Sequence, residues 1–298
     1  MICFEGTTSF ETQLPSAITL GKFDGLHLGH QKLLNHIRRQ KEKGLQAVVF
    51  IIAPEGRPRL LTDQEELEKL KEFGADVVIF CPFVPEILHQ EAEEFVENVL
   101  VRRLKAKEIV VGPDFRFGRN RQGDDETLKK LSGRFSFHVT VLEKEKLDGR
   151  EISSTYVREA IEEGNMELAE RLLGYPYFVS GEVLHGRALG RTLNIPTANL
   201  STEERKILPP FGVYFSRVWI QDQVWHGTTN IGIKPTVGSE HPGVETYLHG
   251  FSGNIYGEQM KVELLKLIRR ERKFDSVEAL KNQMQSDIAA GEAFANER

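Results

Sequence analysis

Two histidines three residues apart, His27 and His30, close the run Leu20-Gly21-Lys22-Phe23-Asp24-Gly25-Leu26-His27-Leu28-Gly29-His30. The run follows an apolar segment that reads as a strand and opens a pattern that reads as a helix. Both imidazoles therefore fall on a first helical turn, where side chains three apart share a face and reach one ligand. A helix start also offers unpaired N–H groups and a partial positive charge, which together make a site for phosphate. Gly21, Gly25 and Gly29 let the backbone come close to such a ligand. The chemistry expected is that of a nucleotide phosphate.

Four further runs carry chemistry. Ile152-Ser153-Ser154-Thr155-Tyr156-Val157-Arg158 sets hydroxyls at a helix start and an arginine one turn on. Arg158 so placed opposes the helix dipole unless an anion sits there. Gly112-Pro113-Asp114-Phe115-Arg116-Phe117-Gly118-Arg119-Asn120-Arg121-Gln122-Gly123-Asp124 is a loop whose aromatic and guanidinium planes suit a flat heteroaromatic ligand. The run from Gly181 to Arg191 is glycine-rich and leads into Pro196-Thr197-Ala198-Asn199-Leu200; its glycines alone would serve to turn a barrel strand, but followed by a Thr and an Asn they suit a phosphate loop with oxygen ligands for magnesium. In Glu245-Thr246-Tyr247-Leu248-His249, strand alternation turns Glu245, Tyr247 and His249 to the face opposite Val244, Thr246 and Leu248. No GxxxxGK[ST] run occurs, so the phosphate cradle is not a P-loop.

These residues need a scaffold. Strands are expected at 17–20, 47–52, 77–80, 109–111 and 137–142, with helices near 29–42, 64–73, 91–105 and 124–131. The 91–105 helix carries an apolar stripe of Ala92, Phe95, Val96, Val99, Leu100 and Leu104. Such alternation predicts an α/β, Rossmann-like domain on a parallel sheet, with ligands at the carboxyl ends of its strands. Helices at 154–163 and 166–173 follow. After Gly174-Tyr175-Pro176 the texture turns to glycine-rich strands at 178–184, 212–220, 224–230, 244–249 and 261–268, which fit a small antiparallel β-barrel or sandwich. A last helix is expected from Asp275 or Ser276, burying Val277, Leu280, Met284 and Ile288. The domains are thus 1–175 and 176–298.

Length and composition agree. A chain of 298 residues is long for a single core. Hydrophobic content of 40%, charged content of 28% and a net charge of -5 describe an ordinary soluble protein with no electrostatic pointer to nucleic acid or membrane. Only Cys3 and Cys81 are present, so neither a disulfide framework nor a cysteine-rich zinc site is expected. The apolar runs are too short to span a bilayer, and the first residues lack the regions of a signal peptide. A cytoplasmic protein, monomeric or a weak homo-oligomer, is expected.

The histidine run resembles the GxFDGxHxGH signature of nucleotidyltransferases, and 152–158 resembles their ISSTxxR motif. The 112–123 loop looks like the GxDFxFGxxxxG loop of bacterial FAD synthetases. Residues 181–200 resemble the riboflavin kinase signature GxVxxGxxxGRxLGxPTANL; Asn254-Ile255-Tyr256-Gly257 and the stretch from Arg269 to Phe274 continue that match. Nearly the whole chain is thereby similar to the bacterial bifunctional riboflavin kinase/FAD synthetase family.

That resemblance implies two reactions on ATP with Mg²⁺. Riboflavin becomes FMN and ADP in the second domain; FMN becomes FAD and pyrophosphate in the first. It implies an adenylylation ATP site at Gly21, Phe23, Asp24, Gly25, His27, His30, Ser153, Ser154, Thr155 and Arg158, in which His27, His30 and Arg158 are catalytic. It implies flavin contacts at Asp114, Phe115, Phe117 and Asn120. In the kinase it implies ATP contacts at Gly186, Gly190, Arg191, Thr197 and Asn199, magnesium on Thr197 and Asn199, and Glu245 as general base; Arg269 and Arg272-Lys273-Phe274 would be structural. Three departures stand out: Lys22, the run Phe50-Ile51-Ile52-Ala53-Pro54-Glu55-Gly56, and Asn194-Ile195 before Pro196. They leave two alternatives, a nucleotidyltransferase with another acceptor and a flavin-binding regulator without catalysis.

Overall fold

The computed structural model describes residues 1–52, 56–82, 84–185, 195–233 and 242–296. The chain divides into two compact units, Met1–Ser154 and Thr155–Arg298.

The first unit opens with strands β1 (Ile2–Glu5) and β2 (Ser16–Gly21), helix α1 (Leu28–Arg39), β3 (Gln46–Ile52), α2 (Asp63–Glu72) and β4 (Val77–Cys81). Short helices α3 (Pro85–Leu88) and α4 (Ala92–Phe95) follow, the latter running into a π-helical stretch, Val96–Arg103. Strand β5 (Ala106–Val111), α5 (Asp125–Phe135), β6 (His138–Val141) and a small hairpin of β7 (Lys146–Leu147) and β8 (Arg150–Glu151) complete it. Six strands form one parallel sheet in the order β1-β4-β3-β2-β5-β6. Strand β2 is buried from Ser16 to Leu20 and β3 from Ala47 to Ile51, the continuous burial of a sheet covered on both faces. The chain winds from β2 through β3 toward one edge and returns to place β5 on the other side of β2. The carboxyl ends of β2 and β5 therefore flank the point where the winding reverses, the position at which such sheets bind ligands.

The second unit holds α6 (Ser154–Glu163, whose first residue closes the first unit) and α7 (Met166–Leu173). A closed antiparallel barrel follows, built from β9 (Phe178–Leu184), β10 (Ala198–Leu200), β11 (Gly212–Ile220), β12 (Gln223–Ile233), β13 (Pro242–Leu248) and β14 (Gln259–Arg270). Its order is β10-β13-β12-β11-β14-β9, and a β9–β10 pair closes the ring. Closure leaves no free sheet edge. Ser216, Thr229 and Thr246 are buried, and their hydroxyls form a chain of 2.7 and 2.9 Å bonds that pins β11, β12 and β13 in register. Helix α8 (Val277–Asn296) lies on the outer wall, where a Cβ on Gly291 would come within 2.6 Å of Thr228 Oγ1.

Two sequence expectations change, and two strands are added to those expected. Val277 is 68% exposed, because α8 starts there before it reaches the barrel wall. The apolar stripe of 91–105 is buried as expected, but after Phe95 the backbone widens into i→i+5 bonding, as in Leu104 N–H to Val99 O. Strand β1 carries no alternation to read, since Ile2, Cys3 and Glu5 are all exposed on a sheet edge. Strand β10 has only three residues and exists because β9 and β13 pair with it.

Candidate functional site

The turn after β2 is held in backbone conformations that side chains seldom adopt: Phe23 has φ 49°, Gly25 φ 84° and Leu26 φ 43°. Strain of this kind persists only where the surroundings enforce it, and it gathers at ligand sites. Here Leu60 N–H donates to Asp24 Oδ1 at 2.8 Å, Gln31 Nε2 donates to Leu26 O at 2.8 Å, and Ser154 Oγ donates to Asp24 O at 2.8 Å. The last bond joins two stretches 130 residues apart, so the start of the Ser153-Ser154-Thr155 run meets the histidine turn. A Cβ on Gly25 would lie 2.6 Å from Leu60 Cδ1, which makes glycine the only fit.

His27 caps α1, its Nδ1 accepting from the His30 N–H at 3.4 Å. Its neutral ring then carries the proton on Nε2. The two imidazoles stack with centroids 3.7 Å apart and planes 17° off parallel, and Phe23 lies 5.1 Å from His30. Burial pushes His27 down to about 4, against the pull of Asp24; burial, and then His27, hold His30 well below the usual imidazole range. Both rings are therefore neutral near pH 7, each with one N–H. His30 Nδ1 is buried with no hydrogen-bond partner among the described residues. The first turn of α1 carries no acidic residue, so nothing in it offsets the positive helix end. An anion accepting from neutral imidazoles and the α1 terminus satisfies all of this. Phe23 is fully buried and offers a ligand only its backbone.

Across the switch point, the loop after β5 is tied down at both ends. Phe117 and Gly123 exchange backbone bonds of 3.0 and 2.9 Å, and Arg119 N–H reaches Gln90 O at 2.8 Å. Phe117 is 5% exposed and packs between Phe95 and Phe115, with centroids 5.9 and 5.5 Å away. It anchors the loop rather than presenting a face to a ligand, because it joins the apolar core beneath the sheet ends. Phe115 is half-buried, and Asp114 pairs with Lys144 at 3.1 Å. Asn120 and Arg121 are exposed, both left-handed, at φ 52° and 59°. Arg158 is half-buried, one turn into α6, whose inner face is Val157, Ala160 and Ile161. Lys22 is exposed beside the turn.

The barrel carries a second site. Across the ladder, Asn199 faces Glu245, Glu245 faces Asn230, Asn230 faces Val213 and Val213 faces Arg269. Paired residues share a face, so this row lies on the outer wall. The expected alternation along β13 holds: Val244, Thr246 and Leu248 are buried, while Glu245 and Tyr247 are half-buried. A cavity of about 380 Å³ lies between this wall and α8, lined by Thr197, Asn230, Glu245 and Arg269, with Leu280 and Met284 from the helix. Asp287, 4% exposed, holds Arg269 through bonds of 2.7 and 3.1 Å and accepts from Gln283 Nε2 at 2.7 Å. Arg269 thus has the structural role expected of it and also borders the cavity. Thr197 and Asn199 stand close together, the Asn199 amide 3.5 Å from Thr197 O. Gly186, Gly190, Arg191 and Asn194 lie outside the described residues, as does Ala53. Asp287 escapes a reading of the sequence, because only helix docking brings it to Arg269; the run from Asn230 also resembles the kinase family in sequence, and strand register sets Asn230 opposite Glu245.

A phosphate-binding turn in one unit and an apolar cavity rimmed by a carboxylate in the other fit what known proteins show. The FAD synthetase family matches residues 9–156 and the riboflavin kinase family residues 173–295. The chain belongs to the bifunctional riboflavin kinase/FMN adenylyltransferase family. It is 38% identical over 292 residues to the enzyme of that description from Haemophilus influenzae, covering 94% of both chains. It is 35% identical to that from Escherichia coli K12, covering 93% of this chain and 92% of the relative. A crystal structure from Streptococcus pneumoniae, named a macrolide-efflux protein, superposes with a TM-score of 0.86 at 32% identity over 98% of both chains. That name stays with that protein; no helix among the described residues is long and apolar enough to cross a membrane.

Proposed function

We propose that the chain phosphorylates riboflavin to FMN on its barrel and adenylylates FMN to FAD on its α/β domain, each time with ATP. The observation that carries this is the presence, in separate units, of a neutral histidine pair at an open helix start and of a carboxylate at a cavity of flavin scale. The functional division near residue 175 is supported by the gap between the two family matches.

In the first reaction Glu245 takes the proton of the ribityl hydroxyl as its oxygen attacks the γ-phosphorus of ATP, and ADP leaves. The strand pairs around Glu245 hold its carboxylate on the cavity wall, and the apolar side chains of α8 exclude water from the ring. The donors at hand for magnesium are the Thr197 hydroxyl and the Asn199 amide oxygen, with the Glu245 carboxylate next to Asn199 in register. All are hard oxygen ligands, which fit a cation that shares its shell with phosphates. When bound there it supplies charge neutralisation on those phosphates.

In the second reaction an FMN phosphate oxygen, already ionised, attacks the α-phosphorus of ATP and pyrophosphate leaves. No strong base is required, so catalysis is positioning and charge stabilisation. His27 and His30 donate to the ATP phosphates together with the α1 terminus, and Arg158 to the leaving pyrophosphate. Gly21, Gly25 and the Phe23 and Asp24 backbone shape the approach, with Ser153 and Thr155 beside it; Asp114, Phe115 and Asn120 face the flavin. Both reactions are placed in the cytoplasm, where ATP is made and used. Incubation with riboflavin, ATP and Mg²⁺ should give FMN and then FAD on chromatography; formation of neither would overturn the reading.

A further inference from the structure

Behind the histidine turn lies a buried hydrogen-bonded pair, Arg59 and Glu66, that the two reactions leave unused. Thr62 and Glu65 close a capping box at the start of α2, with bonds of 3.2 and 2.9 Å, and fix the direction of that helix. The next residue, Glu66, is fully buried and accepts from Arg59 Nη2, while Arg59 Nη1 donates to Asp63. Arg59 is itself only 12% exposed. It directly precedes Leu60, which touches the turn twice: its N–H donates to Asp24 Oδ1, and its buried side chain occupies the space a Gly25 Cβ would need. Glu66 Oε1 has no hydrogen-bond partner among the described residues. Burial pushes this carboxyl up to about 8 against the pull of Arg59, and the charge of Asp24 adds to the rise. A buried carboxyl with one unsatisfied oxygen, beside a mostly buried guanidinium, is a costly way to fix a loop. Stability alone would favour an apolar pair of similar volume there.

We propose that Glu66 and Arg59 are positioning residues for adenylyl transfer: Glu66 fixes Arg59, Arg59 fixes Leu60, and Leu60 sets Asp24 and Gly25 and with them the His27–His30 pair. The inference rests on the adenylyl-transfer reading. A wild-type protein that makes no FAD defeats that reading, whereas this one is tested on variants of an active protein.

The test compares FMN adenylylation with riboflavin phosphorylation in full-length Glu66→Gln, Glu66→Ala and the double variant Arg59→Met/Glu66→Met. Gln keeps an acceptor oxygen for Arg59 and should leave both activities within about two-fold of wild type, since the link is a hydrogen bond. Glu66→Ala should lower kcat for adenylylation by about 10- to 100-fold, the scale of a small misplacement, with the KM for ATP little changed and phosphorylation intact. Should Glu66→Ala fail to fold, the double variant decides, because it removes both buried polar groups together and leaves neither unpartnered. The proposal expects it to be folded and still slow in adenylylation. A folded Glu66→Ala protein at the wild-type rate, or a double variant that adenylylates like wild type, overturns the proposal and leaves the pair a matter of stability.

Discussion

Replacing Gly25 by alanine probes how tightly the phosphate turn is built. The residue has φ +84°, where a Cβ costs about 1–2 kcal/mol. The added methyl would also lie 2.6 Å from Leu60 Cδ1, and Leu60 is fully buried with no solvent side to swing toward. Overpacking of this kind costs about 1–3 kcal/mol. The two add to roughly 2–5 kcal/mol, a sizeable share of the stability of a domain this size. The only tryptophans, Trp219 and Trp225, both lie in the barrel. Urea unfolding followed by far-UV circular dichroism reports both units, while tryptophan fluorescence reports the barrel. Gly25→Ala should shift the dichroism transition of the first unit to lower urea and slow FAD formation, with the fluorescence transition and FMN formation retained. Unfolding curves superimposable on wild type, with FAD made at the wild-type rate, would refute the claim that Leu60 locks this turn.

Other outcomes follow from the same geometry. Asp287→Ala leaves the guanidinium of Arg269 partly buried without its partner, so we expect a loss of about 1–3 kcal/mol in barrel stability, discounted for the exposure of Arg269, and a raised KM for riboflavin. Steady-state phosphorylation should show that rise while FMN adenylylation stays at the wild-type level. His27 has a folded value near 4 and an ordinary value of 6.5, so the unfolded chain binds the extra proton first as pH falls. The stability His27 contributes is thus present above 6.5 and lost between 6.5 and 4, by roughly 3 kcal/mol. Chemical unfolding of the ligand-free wild type and of His27→Asn, which keeps a capping side chain, isolates this contribution from those of His30 and Glu66: the stability difference between the two should fall by that amount as pH drops across the window, and a pH-independent difference would contradict the buried neutral ring.

Much of this was legible in the chain itself. The βα alternation, the histidine turn and the face of β13 that carries Glu245 all rest on local periodicity, which the fold preserves. Phe117 misled, because an aromatic in a loop reads alike whether it stacks on a ligand or anchors in the core, and only packing against Phe95 distinguishes them. Val277 misled because helical periodicity says nothing of where a helix first meets its neighbour. Asp287, Arg59 and Glu66 were not legible as site residues. Their roles arise from pairings set by register and docking, across separations such as the 18 residues between Arg269 and Asp287. Lys22 remains exposed beside the turn, and no contact of its side chain among the described residues accounts for the charge there.

The central claim is that two separate sites perform two successive transfers, and a pair of single variants tests it most directly. Glu245→Ala and His30→Ala are each supplied with riboflavin or with FMN, plus ATP and Mg²⁺, and the flavins are separated by chromatography. Glu245→Ala should make no FMN from riboflavin yet convert supplied FMN to FAD. His30→Ala should accumulate FMN and make little FAD from either substrate. A folded variant of either kind that loses both activities, or keeps both, would contradict the account.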